Sequence, residues 1–262
     1  MINRPLLFLS VSAVMLFAAP RQGASEEPVH RWVLDAGHHS NGRFRPTSGN
    51  LSAFPQAEPV FRQPTGGYQL NGETDFCVVG TEDQKAVVPG DLPTKALGIE
   101  AWVYIDRLED WNGIAGAIQD NGDFERGWML GIRNQSFCFG LTSSTVQRLT
   151  YLDATEPIEP GNWYHVAASY DGARMRLYVD GRLSAESAAQ KGPILYPPET
   201  LCVIGAYHDS NEHHPLKGAI ASLAIYDQAP PVADFKSHYQ QQRAVYESEH
   251  PTVEAITGWP TY

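Results

Sequence analysis

The stretch Asn162 to Leu183, NWYHVAASYDGARMRLYVDGRL, leaves this chain few folding options. Val166 and Ala168, then Met175, Leu177 and Val179, alternate with other residues as the buried sides of two successive strands do. Asp171-Gly172 separates those strands and Asp180-Gly181 closes the second. Asp-Gly supplies the positive φ angles of a type I′ turn, so both sites are expected to be tight hairpin turns. An antiparallel hairpin needs further strands to cover it, and the sequence offers them at 31–35, 68–70, 76–79, 99–105, 114–118, 128–132, 137–141, 201–205 and 219–226. Turn residues separate them, in keeping with 23 Gly and 19 Pro in 262 residues. With no helical-period segment between the strands, the pattern predicts an antiparallel β-sandwich and not a parallel α/β sheet. Residues 37–59 read as a long polar loop. Helical spacing appears only at 232–246, where Val232, Phe235, Tyr239 and Tyr246 share a face, which predicts a short C-terminal helix.

Composition narrows the partners. A formal net charge of -11 repels phosphate backbones and anionic lipid, so neither nucleic acid nor a charged membrane surface is an expected partner. Residues 6–19 form an uncharged apolar run behind Arg4, the length of a signal-peptide core, and no later run reaches the roughly 18 residues of a span. Residues 1–24 are therefore expected to be a signal peptide and the protein to be secreted or periplasmic. Cys77, Cys138 and Cys202 each lie in an apolar strand-like run, which reads either as three buried thiols or as one disulfide with a spare cysteine.

Trp163-Tyr164-His165-Val166, Tyr170-Asp171-Gly172 and Leu177-Tyr178-Val179-Asp180-Gly181 together resemble the signature hairpin of laminin G-like jelly-roll domains. Leu70-Asn71-Gly72 with Asp75-Phe76 and Ile99-Glu100-Ala101-Trp102-Val103 are similar to earlier motifs of that family. Ile204-Gly205, Lys217-Gly218 and Ile225-Tyr226-Asp227-Gln228-Ala229 are similar to its closing strands. The resemblance implies a concanavalin A-like jelly roll over 29–229, followed by a helix and polar tail at 230–262. The chain departs from the family at Ala221 or Ser222, where an acidic residue is common, and at Pro230.

Laminin G-like domains commonly hold calcium at the sandwich rim, and the resemblance implies Asp123, Asp209 and Asn211 as its ligands here. The stretches Asp120-Asn121-Gly122-Asp123-Phe124-Glu125 and Tyr207-His208-Asp209-Ser210-Asn211-Glu212 could supply the six to eight oxygens calcium takes, or be solvated turns. Asp120, Asn121, Glu125, His208 and Glu212 join them as candidate ligand-binding residues. Trp111, in the polar run Glu109-Asp110-Trp111-Asn112-Gly113, reads either as a stacking platform for a sugar or as loop packing. Trp102 and Trp163 read as core. Hydrolysis would need two carboxyl groups about 5 Å apart in a cleft. The family's E-x-D-x-x-E strand is absent, and Asp123 and Glu125, between Gly122 and Gly127, read as loop residues. The expectation is a secreted, non-catalytic module for an extracellular glycan or protein. The alternative is an accessory domain of a larger exported enzyme or of a quinoprotein-type β-propeller protein, whose lead-in the final Trp259-Pro260-Thr261-Tyr262 resembles.

Overall fold

The computed structural model describes residues 27–84, 89–198 and 200–247, so the leader at 1–24 and the end of the tail lie outside the described residues. Two nine-stranded antiparallel sheets face each other. In the first, the order runs Arg182–Ser187, Met175–Val179, Asn162–Tyr170, Leu97–Arg107, Lys217–Tyr226, His30–Val33, Pro46–Ser48, with Tyr68–Asn71 and Val60–Phe61 on a side branch. The second runs Thr150–Asp153, Ser136–Leu141, Phe124–Arg133, Trp111–Asn121, Cys202–Ile204, Cys77–Gly80, Ser52–Pro55, Arg43–Phe44, His39–Ser40. The jelly-roll expectation stands, and among the described residues one α-helix, Val232–Glu247, follows it.

The sandwich interior is built by period-two alternation. Val166, Ala168 and Tyr170 face Leu130, Ile132, Phe137 and Phe139 within one buried cluster, together with Trp32 and Trp128. The two indoles between the sheets are satisfied: Trp32 Nε1 donates to the Leu51 carbonyl at 2.8 Å and Trp128 Nε1 to the Tyr196 hydroxyl at 2.9 Å. Leu97–Arg107 is buried without interruption from Leu97 to Ile105 because it is covered on both faces. Ile99, Ala101, Val103 and Ile105 face the sandwich, whereas Trp102 and Tyr104 join Trp163 in a separate cluster against Tyr239 and Tyr246 of the helix. Trp102 and Trp163 are packed as expected, but outside the space between the sheets.

Three local features differ from the sequence expectation. Asp180 and Gly181 do form a tight turn, with φ of 50° and 70°. At Asp171-Gly172, however, only Gly172 has positive φ, and the strands are joined by the four residues 171–174. There the Asp171 carboxylate accepts from the amides of Ala173 and Arg174 at 3.0 and 2.8 Å and makes the turn itself. The 37–59 region is not a bare loop but carries the short strands His39–Ser40, Arg43–Phe44, Pro46–Ser48 and Ser52–Pro55. Thr150–Asp153 is an edge strand that the pattern reading passed over. All three cysteines are buried free thiols, which excludes the disulfide alternative in this structure.

Candidate functional site

The strands Trp111–Asn121 and Phe124–Arg133 form a long hairpin whose register pairs Trp111 with Arg133, Asp120 with Glu125 and Asn121 with Phe124. Only Gly122 and Asp123 lie in the turn, so Asp120, Asn121 and Glu125 are strand residues and not loop residues. Trp111 likewise begins a strand; the polar run around it had suggested a loop because Asp110 and Asn112 flank it. Over this face folds a second hairpin, Ala206–His208 with His213–Pro215. Gly113 permits the approach: a Cβ there would stand 1.8 Å from the Tyr207 backbone nitrogen.

The sheet face so covered holds Ile118, Met129, Cys138 and Tyr207 buried, with Trp111, Leu149 and Tyr151 half-buried around them. Trp111 and Tyr151 meet edge-to-face at 5.3 Å. The Arg133 guanidinium lies 4.7 Å from the Tyr151 ring and 5.7 Å from the Trp111 ring. It is held there by a two-point bond to Asp153, with Nε at 3.0 Å from Oδ1 and Nη2 on Oδ2. The Tyr151 hydroxyl donates to Asp120 Oδ2 at 3.2 Å. Beside this face a cleft of about 440 Å³ is lined by Ile118, Gln119, Thr200 and Leu201 and by His208, Asp209 and Ser210 of the second hairpin. Gln119 and Asn121 both donate to the Ser210 hydroxyl, at 2.8 and 2.7 Å.

Negative charge converges on Asp120. Its carboxyl is pushed above the usual range by burial, against the Tyr151 hydrogen bond and with repulsion from Glu125, Glu212 and Asp209. Burial together with the neighbouring Asp120 also raises the Tyr151 hydroxyl, and burial together with Asp209 raises Tyr207. Asp209 is 8% exposed and accepts four hydrogen bonds. Tyr207 Oη and the Asp120 amide reach Oδ2 at 3.1 Å each, and the amides of Asn211 and Glu212 reach Oδ1 at 3.0 and 2.8 Å. A carboxylate has about four lone-pair sites, so Asp209 is saturated by protein donors and serves as the clasp of its hairpin. Glu125 accepts from Arg148 at 3.2 Å and from the Leu149 amide.

The sequence-derived residues therefore divide. Trp111, Asp120, Glu125, Asp209 and Glu212 come together, and Asn121 and His208 border the cleft. Asp123 stands exposed at the hairpin tip. It is not among the charges acting on Asp120. Asp209 is taken up by four protein donors, two of them the backbone amides of Asn211 and Glu212, while Asp123 stands apart from it at the hairpin tip. Among the described residues no three His, Cys, Asp or Glu side chains are grouped to hold a metal ion. His208 and His213 face each other across their hairpin, Nδ1 to Nδ1 at 3.1 Å, against the Phe76 ring. Tyr151, Arg133 and Asp153 were missed by the sequence reading. The alternation in Thr150-Tyr151-Leu152-Asp153, with Tyr151 and Asp153 on one side, is the signal that could have found two of them.

An antiparallel jelly roll thus carries a half-buried aromatic pair, a fixed guanidinium and carboxylates on one outer face, beside an open cleft. The chain belongs to the laminin G-like family of the concanavalin A-like lectin/glucanase superfamily, whose profile matches residues 79–234. Pappalysin-1 of Mus musculus is 28% identical over 147 residues, 52% of this chain but 9% of that protein. Pappalysin-1 of Homo sapiens is 26% identical over 147 residues, with the same coverage of 52% and 9%. The chain thus spans under a tenth of these curated relatives. Among solved structures, the receptor binding domain of botulinum neurotoxin D superposes with a TM-score of 0.60 at 17% identity, over 82% of this chain and 52% of that one. The serotype D ligand binding domain in complex with N-acetylneuraminic acid gives 0.59 at 16%, over 82% and 51%. A Trypanosoma rangeli sialidase gives 0.59 at 17%, over 90% and 36%. At these identities the likeness is one of fold.

Proposed function

We propose that the chain is an exported, non-catalytic recognition module that binds a glycan on the outer face of its second sheet. The observation that carries this reading is the Trp111–Tyr151 pair, 5.3 Å apart and flanked by Arg133, Asp153 and Asp120 beside the cleft. An aromatic face takes the apolar side of a sugar ring, while fixed carboxylate and guanidinium groups take its hydroxyls. A neighbouring fold that carries N-acetylneuraminic acid supports a carbohydrate as the ligand class. Matched segments that make up 9% of a much longer protein support a module working within a larger exported chain. The reading does not require calcium. Millimolar calcium or a chelator should leave the melting temperature unchanged, and a calcium-dependent rise abolished by Asp123→Ala or Asp209→Asn would restore the rim ion. Binding is tested by glycan-array retention of wild type against Trp111→Ala.

A second reading, glycoside hydrolysis, has one observation in its favour: Asp120, with its raised pKa, faces Glu125 across the hairpin. It is the weaker reading because Glu125 is tied down by Arg148 and the Leu149 amide, which favours its ionised form and a positioning role. Release of reducing sugar from any array ligand, lost in Asp120→Asn, would favour it.

A further inference from the structure

The C-terminal helix Val232–Glu247 lies across the outer face of the first sheet, and its attachment is unusual in composition. Phe235 is its one fully buried residue. Tyr239 stacks on Trp102 at 5.9 Å, and Tyr246 stacks on Trp102 at 4.3 Å and leans on Trp163 at 4.8 Å. Between these contacts a polar residue, His238, reaches into the interface. Its Nδ1 donates to Glu100 Oε2 at 3.0 Å, on the central strand of the sheet.

Glu100 is 7% exposed and receives three donors. Besides His238 these are His165 Nε2 on Oε2 at 3.1 Å and the Tyr226 hydroxyl on Oε1 at 2.5 Å, with Arg31 Nη2 at 3.7 Å from Oε1. Burial would push Glu100 up, but the bonds from His165 and His238 outweigh it and hold the carboxyl ionised, well below its usual range. His165 Nε2 is taken up by this carboxylate. His165 Nδ1 and Trp102 Nε1 are both buried without a hydrogen-bond partner. Both residues line a cavity of about 80 Å³ beneath the helix, together with Arg31, Glu100 and Gln242. The docked helix therefore leaves two buried ring nitrogens unmet that water would reach on opening, so the closed state carries a penalty that opening removes.

We propose that the helix Val232–Glu247 is a proton-controlled strap whose catch is the His238–Glu100 contact, and that its release uncovers the aromatic face of Trp102, Trp163 and Tyr104. The groups facing His238 are Glu100 and Arg31 from the sheet and Asp234 from the helix itself; His165 and Tyr226 bear on the same carboxylate. The bond to Glu100 raises the His238 pKa above 6.5 against burial, the charge of Glu100 and Asp234 adds to the rise, and Arg31 opposes it. The sign follows from linkage: a histidine whose pKa is raised on docking contributes fully below its free value of 6.5, and that contribution is lost as pH rises through the docked value. The strap is closed in acid and loosens toward alkaline pH.

Hydrogen exchange of 232–247 in the full chain, corrected for the intrinsic pH dependence of exchange, tests this between pH about 5.5 and about 8.5. Protection of the helix relative to the sandwich strands should fall about tenfold across that range in wild type, the order of loss when one charge-assisted hydrogen bond becomes a neutral one. His238→Gln keeps a donor but cannot titrate, so its helix protection should not depend on pH, whether high or low. Trp102 and Trp163 should become more accessible to an aqueous quencher with the same midpoint. Constant protection in wild type, or the same pH dependence in His238→Gln, would overturn the proposal.

Discussion

Gly181 serves two structures at once. Its φ of 70° is required by the tight turn after Val179, and a Cβ there would stand 2.9 Å from the Lys236 Cα of the C-terminal helix. Gly181→Val combines a disfavoured backbone with a clash against a neighbouring backbone and should cost about 2 kcal/mol or more, lowering the melting temperature by roughly 4 °C or more. A smaller shift would mean that the helix adjusts freely. Asp120 behaves oppositely. Its raised pKa means that the native state binds a proton more tightly than the unfolded chain, so ionisation of this group destabilises as pH rises from its free value of 3.8 through its native one. Asp120→Asn keeps an acceptor for Tyr151 and removes the repulsion. It should raise stability slightly at neutral pH, with the gain vanishing in acid where wild-type Asp120 is protonated, while weakening glycan binding; urea melts at both pH values check this. The turn glycine was legible in the sequence because Asp-Gly has a specific conformational meaning. The environment of Asp120 was not, because the residues that bury and repel it come from strands and a hairpin distant in sequence.

At the level of elements, strands with strong alternation or a clear Asp-Gly boundary were found, while the short strands at 39–55 and 150–153, which lack both, were not. Between residues 37 and 59 pairing with neighbours, not local pattern, decides which short pieces become strands. The 120–125 segment was misread for a related reason. Gly122 marks a turn correctly, but nothing local shows that the strands run to within one residue of it on either side. The helix at Val232–Glu247 was expected almost to its ends, and Phe235, Tyr239 and Tyr246 pack as the spacing predicts, while Val232 at the first turn is 46% exposed. The hairpin Ala206–His208 with His213–Pro215 depends on Asp209, whose four hydrogen bonds tie its turn to the neighbouring sheet. Asp209→Ala leaves four donors unmet and should cost about 3 kcal/mol, with exchange protection lost first in residues 206–215. Equal loss across the whole sandwich would show that the hairpin has no independent role.

For the molecule as a whole, a double sheet whose three cysteines are all free thiols implies a fold insensitive to reductant. Burial raises all three thiols, Cys202 to about 12, so they should resist a thiol reagent until the protein unfolds. The two outer faces of that frame differ. The first sheet gives its outer aromatic face to the helix, and the second keeps Trp111 and Tyr151 half-buried beside an open cleft. The most direct test of that division is a glycan array probed with the folded wild type and with Trp111→Ala at matched melting temperature. Glycan recognition at this face predicts that wild type retains a defined set of sugars and that the variant loses affinity for them by about tenfold, the equivalent of one stacking contact. Retention of no glycan by wild type, or undiminished retention by Trp111→Ala, would contradict it.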